Sequence, residues 1–265
     1  MNLIIRILGN DLSGLHGENQ TYNNLKFTLE NEPEFENTDK VFLLNRIYNQ
    51  EKKNLYINLL KKHNKKYIVD EFDINKFNEL HYIFDTKKNY KFRKLYNFNL
   101  YLVNNNGSRN YCINYGKKNN YKWIFPLDSN SYFTEKTFTD IINNIESDTK
   151  YLILPQVRLS NENIENEELI GKDYINYSET FEPQIAFRND SEILFNEKIP
   201  YGSSPKAELL RVLNVPGKWK RWNDNYQFYG IKDRKIINEK YQVLSYVIRL
   251  NSYNPNNNTK NNYNN

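Results

Sequence analysis

Hydrophobic residues fall in short blocks separated by polar turns, and the blocks alternate in type. Residues 3–8 form an apolar run with Ile4, Ile5 and Ile7, closed by Gly9-Asn10-Asp11. Such a run, bounded by turn residues, predicts a buried strand followed by a polar loop. Residues 21–30 place Tyr22, Leu25 and Leu29 at helical spacing, and residues 41–44 form a second apolar run ending at Asn45-Arg46. Residues 53–63 repeat the helical pattern with Leu55, Leu59 and Leu60, and residues 67–69 give a short third strand ending at Asp70-Glu71. Strand, helix, strand, helix, strand at these intervals predicts βαβ units and a parallel sheet, with right-handed crossovers.

The second half is less regular. Residues 134–145 carry Phe138, Ile141, Ile142 and Ile145 on one helical side, and residues 151–157 read as one strand. Residues 161–177 are polar and acidic and read as a surface excursion. Residues 184–188 return as a strand, followed by a short helix near 191–195, a helix over 206–213 and a final apolar run over 242–250. The Asn-rich stretch 251–265 has almost nothing to bury and reads as a disordered tail.

Composition narrows the options. At 265 residues and 38% hydrophobic content, the chain can bury one substantial core. No run of eighteen apolar residues exists, so no membrane span is expected. The start is too strand-like for a signal peptide. One cysteine, Cys112, excludes an intramolecular disulfide. The expectation is a protein of a reducing compartment, cytoplasmic. The Asn, Lys, Ile and Tyr bias fits an AT-rich source such as a large DNA virus, with host cytoplasm or virion as the location in that case. Net charge of +5 comes from scattered Lys and Arg. With no basic stripe or RNP-like motif, nucleic acid is not an expected partner.

The richest segment is GSRNYCINYGKKNNYKWIFPLDSN, residues 107–130. It reads as a polar loop carrying Arg109-Asn110, a short helix ending at Gly116, a strand burying Trp123, Ile124 and Phe125, and an acidic turn. Asp128 and Asn130 then lie at the strand's carboxyl end, the edge where open α/β sheets bind ligands. Oxygen-bearing side chains at i and i+2 can face one hard cation.

This segment resembles the GT-A glycosyltransferases, particularly family 2, whose core runs Arg-Asn, helix, Gly, hydrophobic strand, D-x-D. Arg109, Asn110, Gly116 and Asp128 fall on that pattern, and Asn130 stands where the family has Asp. The resemblance implies an α/β fold with a mixed, mostly parallel, Rossmann-type sheet flanked by helices over residues 1–250. It also implies a nucleotide-sugar donor (a UDP-sugar first), a glycan or glycoprotein acceptor, and Mn²⁺ or Mg²⁺ held by Asp128 and Asn130, with Arg109 steadying the donor. On the same basis Gly9, Asn10, Asp11, Asn45, Arg46 and Asp70 are expected around the nucleotide.

A second segment, PQIAFRNDSEILFNEKIPYG, also resembles the family at Ala186-Phe187-Arg188 and Phe195-Asn196-Glu197. It makes Arg188 a candidate substrate contact. Downstream, the family's general base is an Asp in an E-D-x-E-L helix. Here Lys206 occupies that place, with Glu208 two residues on. Lys206 would suit a leaving diphosphate, and Glu208, Asp190 and Glu182 are the carboxylates left to act as base. These departures leave open a GT-A-like module that binds a nucleotide or glycan without catalysis. Trp219 and Trp222, among Lys218, Lys220 and Arg221, form a basic aromatic patch that suits either a sugar or a structural anchor.

Overall fold

The computed structural model describes residues 1–11, 17–82, 96–160, 182–202, 204–217 and 234–251. Its first half follows the alternation in the sequence. Strand β1 (Asn2–Leu8) is followed by α1 (Gln20–Asn31), β2 (Thr38–Asn45), α2 (Gln50–Lys62), β3 (Lys66–Asp70) and α3 (Ile74–Tyr82). A π-helical turn at Asn99–Val103 leads into α4 (Asn105–Lys118), which precedes β4 (Trp123–Asp128). β1 pairs in parallel with β2 on one side and β4 on the other, and β3 extends the sheet beyond β2.

The second half adds β6 (Tyr151–Leu154), β8 (Gln184–Arg188) and β9 (Tyr241–Val243), and the full order of the seven-stranded sheet is β3-β2-β1-β4-β8-β6-β9. The chain builds outward from β1 to β3 and then restarts on the other side with β4. The switch point therefore lies between β1 and β4. Neighbouring connections leave in opposite directions there and open a crevice at the strands' carboxyl ends.

The apolar runs are near-continuous because both faces of the sheet are covered. Leu3, Ile5, Val41 and Leu43 face a layer with Ile113 of α4 and Leu209 and Leu210 of α6 (Ala207–Val212). Ile4 on the opposite face packs with Phe125, Phe138 and Ile141, the last two from α5 (Glu135–Asn143). Leu8, Phe42 and Leu44 on that face meet Leu25 of α1 and Tyr56 and Leu60 of α2. The fold is thus α/β, a mixed and mostly parallel sheet flanked by helices.

The second half departs from the sequence expectations in three places. The strand expected over 151–157 is two, β6 (Tyr151–Leu154) and β7 (Gln156–Ser160), divided at Pro155. Proline has no N–H for a ladder, and there the chain passes from the large sheet into a small one formed by β5 (Ser131–Tyr132), β10 (Val247–Asn251) and β7. The run expected over 242–250 divides in the same way, into β9 (Tyr241–Val243) and β10, with Ser245 at φ 43° between them. β6 runs parallel to β9 and β7 to β10, so the two strands change sheets side by side.

The helix expected near 191–195 is an irregular segment pinned by the Ile193 N–H donating to Tyr151 Oη at 3.0 Å. β10 includes Asn251, one residue into the stretch expected to be a tail. The acidic stretch 161–177, the rest of the tail, and the Trp219/Trp222 patch lie outside the described residues. No helix among the described residues is long and apolar enough to cross a membrane.

Candidate functional site

The crevice at the switch point is built from one helix–strand unit. α4 begins after Asn104, whose left-handed backbone (φ 46°) turns the chain into the helix. Arg109 and Asn110 therefore lie inside α4, not in a loop before it. Gly116 also lies inside the helix, which ends two residues later at Lys118. Its role is close approach. A Cβ there would stand 2.5 Å from Ile124 Cγ1 of β4, a separation real side chains do not adopt. The missing side chain lets α4 settle on β4, and Arg109, two turns earlier, then reaches the end of that strand.

Arg109 Nη2 donates to Asp128 Oδ1 at 2.7 Å, and Nη1 to Asn106 Oδ1 at 2.9 Å. Asp128 Oδ2 accepts from Gln184 Nε2 at 2.9 Å and from Lys206 Nζ at 3.1 Å. Lys206 also donates to Gln184 Oε1 at 3.0 Å. Arg109 and Lys206 side chains are each 3% exposed, whereas Asp128 is 33% exposed. The carboxylate is thus the open face of a cluster whose cations stand behind it.

Burial works against ionising Asp128. The Arg109 and Lys206 charges, with the Gln184 hydrogen bond, outweigh it and hold the carboxyl well below the usual range. Burial pushes the Lys206 ammonium down to about 8, with Asp128 resisting and Arg109 assisting. Glu182 accepts the Lys206 and Ala207 N–H groups at 2.9 and 3.0 Å, and burial raises its carboxyl despite Lys206 and Arg109 nearby.

The cleft over this cluster measures about 140 Å³, with Gly9, Asn45, Arg109, Asp128, Asn130 and Arg249 in its wall. Of the nucleotide-side expectations, Gly9, Asn10 and Asn45 line it. Asn10 and Asn45 also brace the scaffold. Asn10 Nδ2 donates to Arg46 O at 2.9 Å, and Asn45 Nδ2 to Val103 O at 2.9 Å. Arg46 is committed to Asp70 at 3.0 Å and lies 4.7 Å over the Tyr101 ring, so these two charges neutralise each other. Asp11 caps α1, accepting from Thr21 N at 3.1 Å and Thr21 Oγ1 at 2.7 Å.

Besides Asp11, Arg46 and Asp70, four more expected site residues are not brought to the cleft wall. Arg188 and Asp190 pair with each other at the opposite edge, where Arg188 stands in register with Trp123 at the start of β4. The reason is orientation. β8 (Gln184–Arg188) is antiparallel to β4 and β6, so its first residue, Gln184, reaches the ligand edge and its last points away. Asn110 is buried and clamps a neighbouring segment, accepting from Phe195 N and donating to Phe195 O, both at 3.0 Å, and to Glu197 Oε1 at 2.8 Å. Glu208 is 1% exposed and is held by Arg234, whose Nε donates to Oε1 at 2.6 Å.

Gln184 and Arg249 went unnoticed as site residues in the sequence. The only signal for Arg249 is a single cation within an otherwise apolar strand, VIRLN.

The expected Mn²⁺ or Mg²⁺ does not fit the residues present. Among the described residues, no three His, Cys, Asp or Glu side chains gather into a metal-holding group. Both oxygens of Asp128 already face a cation. Unit like charges 4 Å apart repel by about 4 kcal/mol at an effective dielectric of 20, and a dication on Asp128 would meet this at Lys206 and Arg109 together. Asn130 adds an amide oxygen and no charge to offset it.

No family model and no curated protein matches the chain. Among solved structures, 4-diphosphocytidyl-2C-methyl-D-erythritol synthase from Anaerococcus prevotii aligns at 12% identity and TM-score 0.33, covering 92% of this chain and 87% of that one. Mouse xyloside xylosyltransferase 1, apo form, aligns at 8% identity and TM-score 0.37, covering 92% and 84%. Neither likeness is close enough to bear on function.

Proposed function

We propose that the chain is a glycosyltransferase that takes a sugar from a nucleotide-diphosphate donor, with a UDP-sugar as first choice, and passes it to a glycan or glycoprotein acceptor. The observation that carries this reading is Asp128 at the switch-point end of β4, locked to Arg109 of the preceding helix. These are two residues of the segment that resembles the GT-A pattern, and they meet in a polar cleft at the edge where such sheets bind ligands. Departure of a nucleoside diphosphate needs positive charge aimed at the developing phosphate charge, and Arg109, Lys206 and Arg249 supply it. At about 140 Å³ the cleft holds one end of a donor, and the remainder would lie along the open edge.

The acceptor hydroxyl must lose a proton as it attacks. Asp190 is at the wrong edge and Glu208 is tied to Arg234. Glu182, beside Lys206, is the carboxylate left near the cluster, and burial raises its proton affinity toward that of a general base.

Thermal shift with a panel of nucleotide sugars, followed by nucleoside-diphosphate release, tests the reading. A ligand at a hundred times its dissociation constant stabilises by about 2.7 kcal/mol. Absence of any shift across the panel would sink it. The second reading, a module that binds donors without turning them over, draws on the commitment of Glu208 elsewhere. Donor binding with no release in the presence of varied glycan acceptors would favour it.

A further inference from the structure

Two cationic side chains line the cleft, and they differ in kind. Arg109 is buried and committed to Asp128 and Asn106. Arg249 is half-buried and makes no hydrogen bond or ion pair among the described residues. It is not there by accident of a loose loop. β10 pairs with β5 so that Arg249 stands opposite Ser131, and the Leu250 N–H donates to Asn130 O at 2.8 Å. The small sheet thus carries a guanidinium with no described partner over the Asp128-Ser129-Asn130 turn, against a cluster in which Lys206 and Arg109 already occupy both oxygens of Asp128.

We propose that the cleft takes its donor's diphosphate without a divalent cation, with Arg249 as the phosphate ligand and the Arg109–Asp128–Lys206 cluster as its floor. This rests on the nucleotide-sugar reading above. Asp128, in this arrangement, orients two cations instead of coordinating one. A guanidinium presents paired N–H donors that match phosphate oxygens, which a point charge does not. The place a metal would take beside Asp128 Oδ2 is held by the Lys206 ammonium at 3.1 Å.

The test is calorimetric titration of the full chain with UDP, GDP, CDP, ADP and dTDP, in EDTA and again in Mn²⁺. At least one of the five binds equally in both conditions if the inference holds. Arg249→Gln, which breaks no described contact, then weakens that binding by about tenfold to a hundredfold, the range for a charged hydrogen bond. Lys206→Met, where it folds, weakens binding in EDTA and makes it respond to Mn²⁺, because Asp128 is released to serve as a ligand. Binding that requires Mn²⁺ in the parent protein overturns the inference and leaves the nucleotide-sugar reading standing. Unchanged affinity in Arg249→Gln overturns the assignment of Arg249. Absence of binding in both conditions overturns inference and reading together.

Discussion

The Lys206 ammonium stands 3.1 Å from Asp128 Oδ2, and both belong to a cluster closed on its inner side by Arg109, Gln184 and Glu182. If the cleft binds a diphosphate as proposed, this pairing couples that binding to pH with a definite sign. In the unfolded chain Lys206 keeps its proton to about 10.5, whereas in the fold burial brings it to about 8. Between those values the unfolded state binds the extra proton, so stability rises with pH. Over the same interval the cleft loses a positive charge. Nucleoside-diphosphate affinity is therefore expected to fall as pH climbs through about 8, while the contribution of Lys206 to stability moves the other way. Parallel titrations of affinity and melting temperature from pH 7 to 10 check this, and Lys206→Met should remove the step from both. Affinity flat to pH 10 would contradict it.

Gly116→Ala probes the contact that aims Arg109. The added Cβ would press on Ile124 Cγ1 and Cδ1 at 2.5 and 2.7 Å, so α4 must lift from β4. Overpacking of this kind costs about 1–3 kcal/mol. Helix propensity returns at most ~1 kcal/mol, so the net effect is loss of stability. Reduced nucleotide binding should accompany it as Arg109 retreats from Asp128. A denaturant midpoint at or above the parent value would show that α4 has room to spare.

The four strands β1 to β4 were legible because strands covered on both faces must be apolar along their length, and loops between them must be polar. The resemblance at residues 107–130 then brought Arg109, Gly116 and Asp128 together correctly as one unit, though it misread the helix bounds. Hydrophobicity carries no strand direction, however. The AFR segment was equally apolar in either sense, and the antiparallel pairing of β8 is what brings Gln184 to Asp128 at the ligand edge and sends Arg188 to the far edge. Nor does a continuous apolar run reveal a transfer between sheets, as Pro155 and Ser245 mark. Arg249 was hidden for that reason, since its strand belongs to a sheet the pattern did not announce.

A second buried charge cluster, outside the cleft, makes a stability prediction. Arg6, in the middle of β1, forms an ion pair with Glu32 at the end of α1, and Lys40 Nζ lies 3.2 Å from the other Glu32 oxygen. Glu32 also accepts the Phe133 N–H at 3.0 Å, while Arg6 Nε donates to Ser131 O at 3.0 Å, so the cluster ties α1 and β1 to the turn after β4. Glu32→Gln leaves two buried cations facing each other. Removing one partner of a buried pair costs about 3–5 kcal/mol, and at about 2–4 °C per kcal/mol the melting temperature should drop clearly. A change within the scatter of the melts would mean that water reaches Arg6 and Lys40.

Glu208→Gln separates chemistry from architecture most directly. By sequence, Glu208 is the first-choice general base, and its loss should cut turnover by about two orders of magnitude or more. The structure places it otherwise. Lys206 and Glu208 are two residues apart, about 200° around a helix, and Lys206 faces Asp128 while Glu208 faces Arg234. With the Glu208 carboxylate 1% exposed and engaged by both Nε and Nη2 of Arg234, the substitution should lower stability by about 1–3 kcal/mol and leave nucleotide binding and turnover near the parent values. Arg234→Gln should cost a similar amount, and the double variant less than the sum, because each single change removes the same interaction. Glu182→Gln serves as the contrast. Its neighbourhood to Lys206 predicts a fall in turnover of about a hundredfold with little change in melting temperature, since an amide oxygen still accepts the two N–H groups at the start of α6. Turnover lost in Glu208→Gln at an unchanged melting temperature, with Glu182→Gln silent, would return the base to Glu208 and require α6 to turn its other face to the cleft.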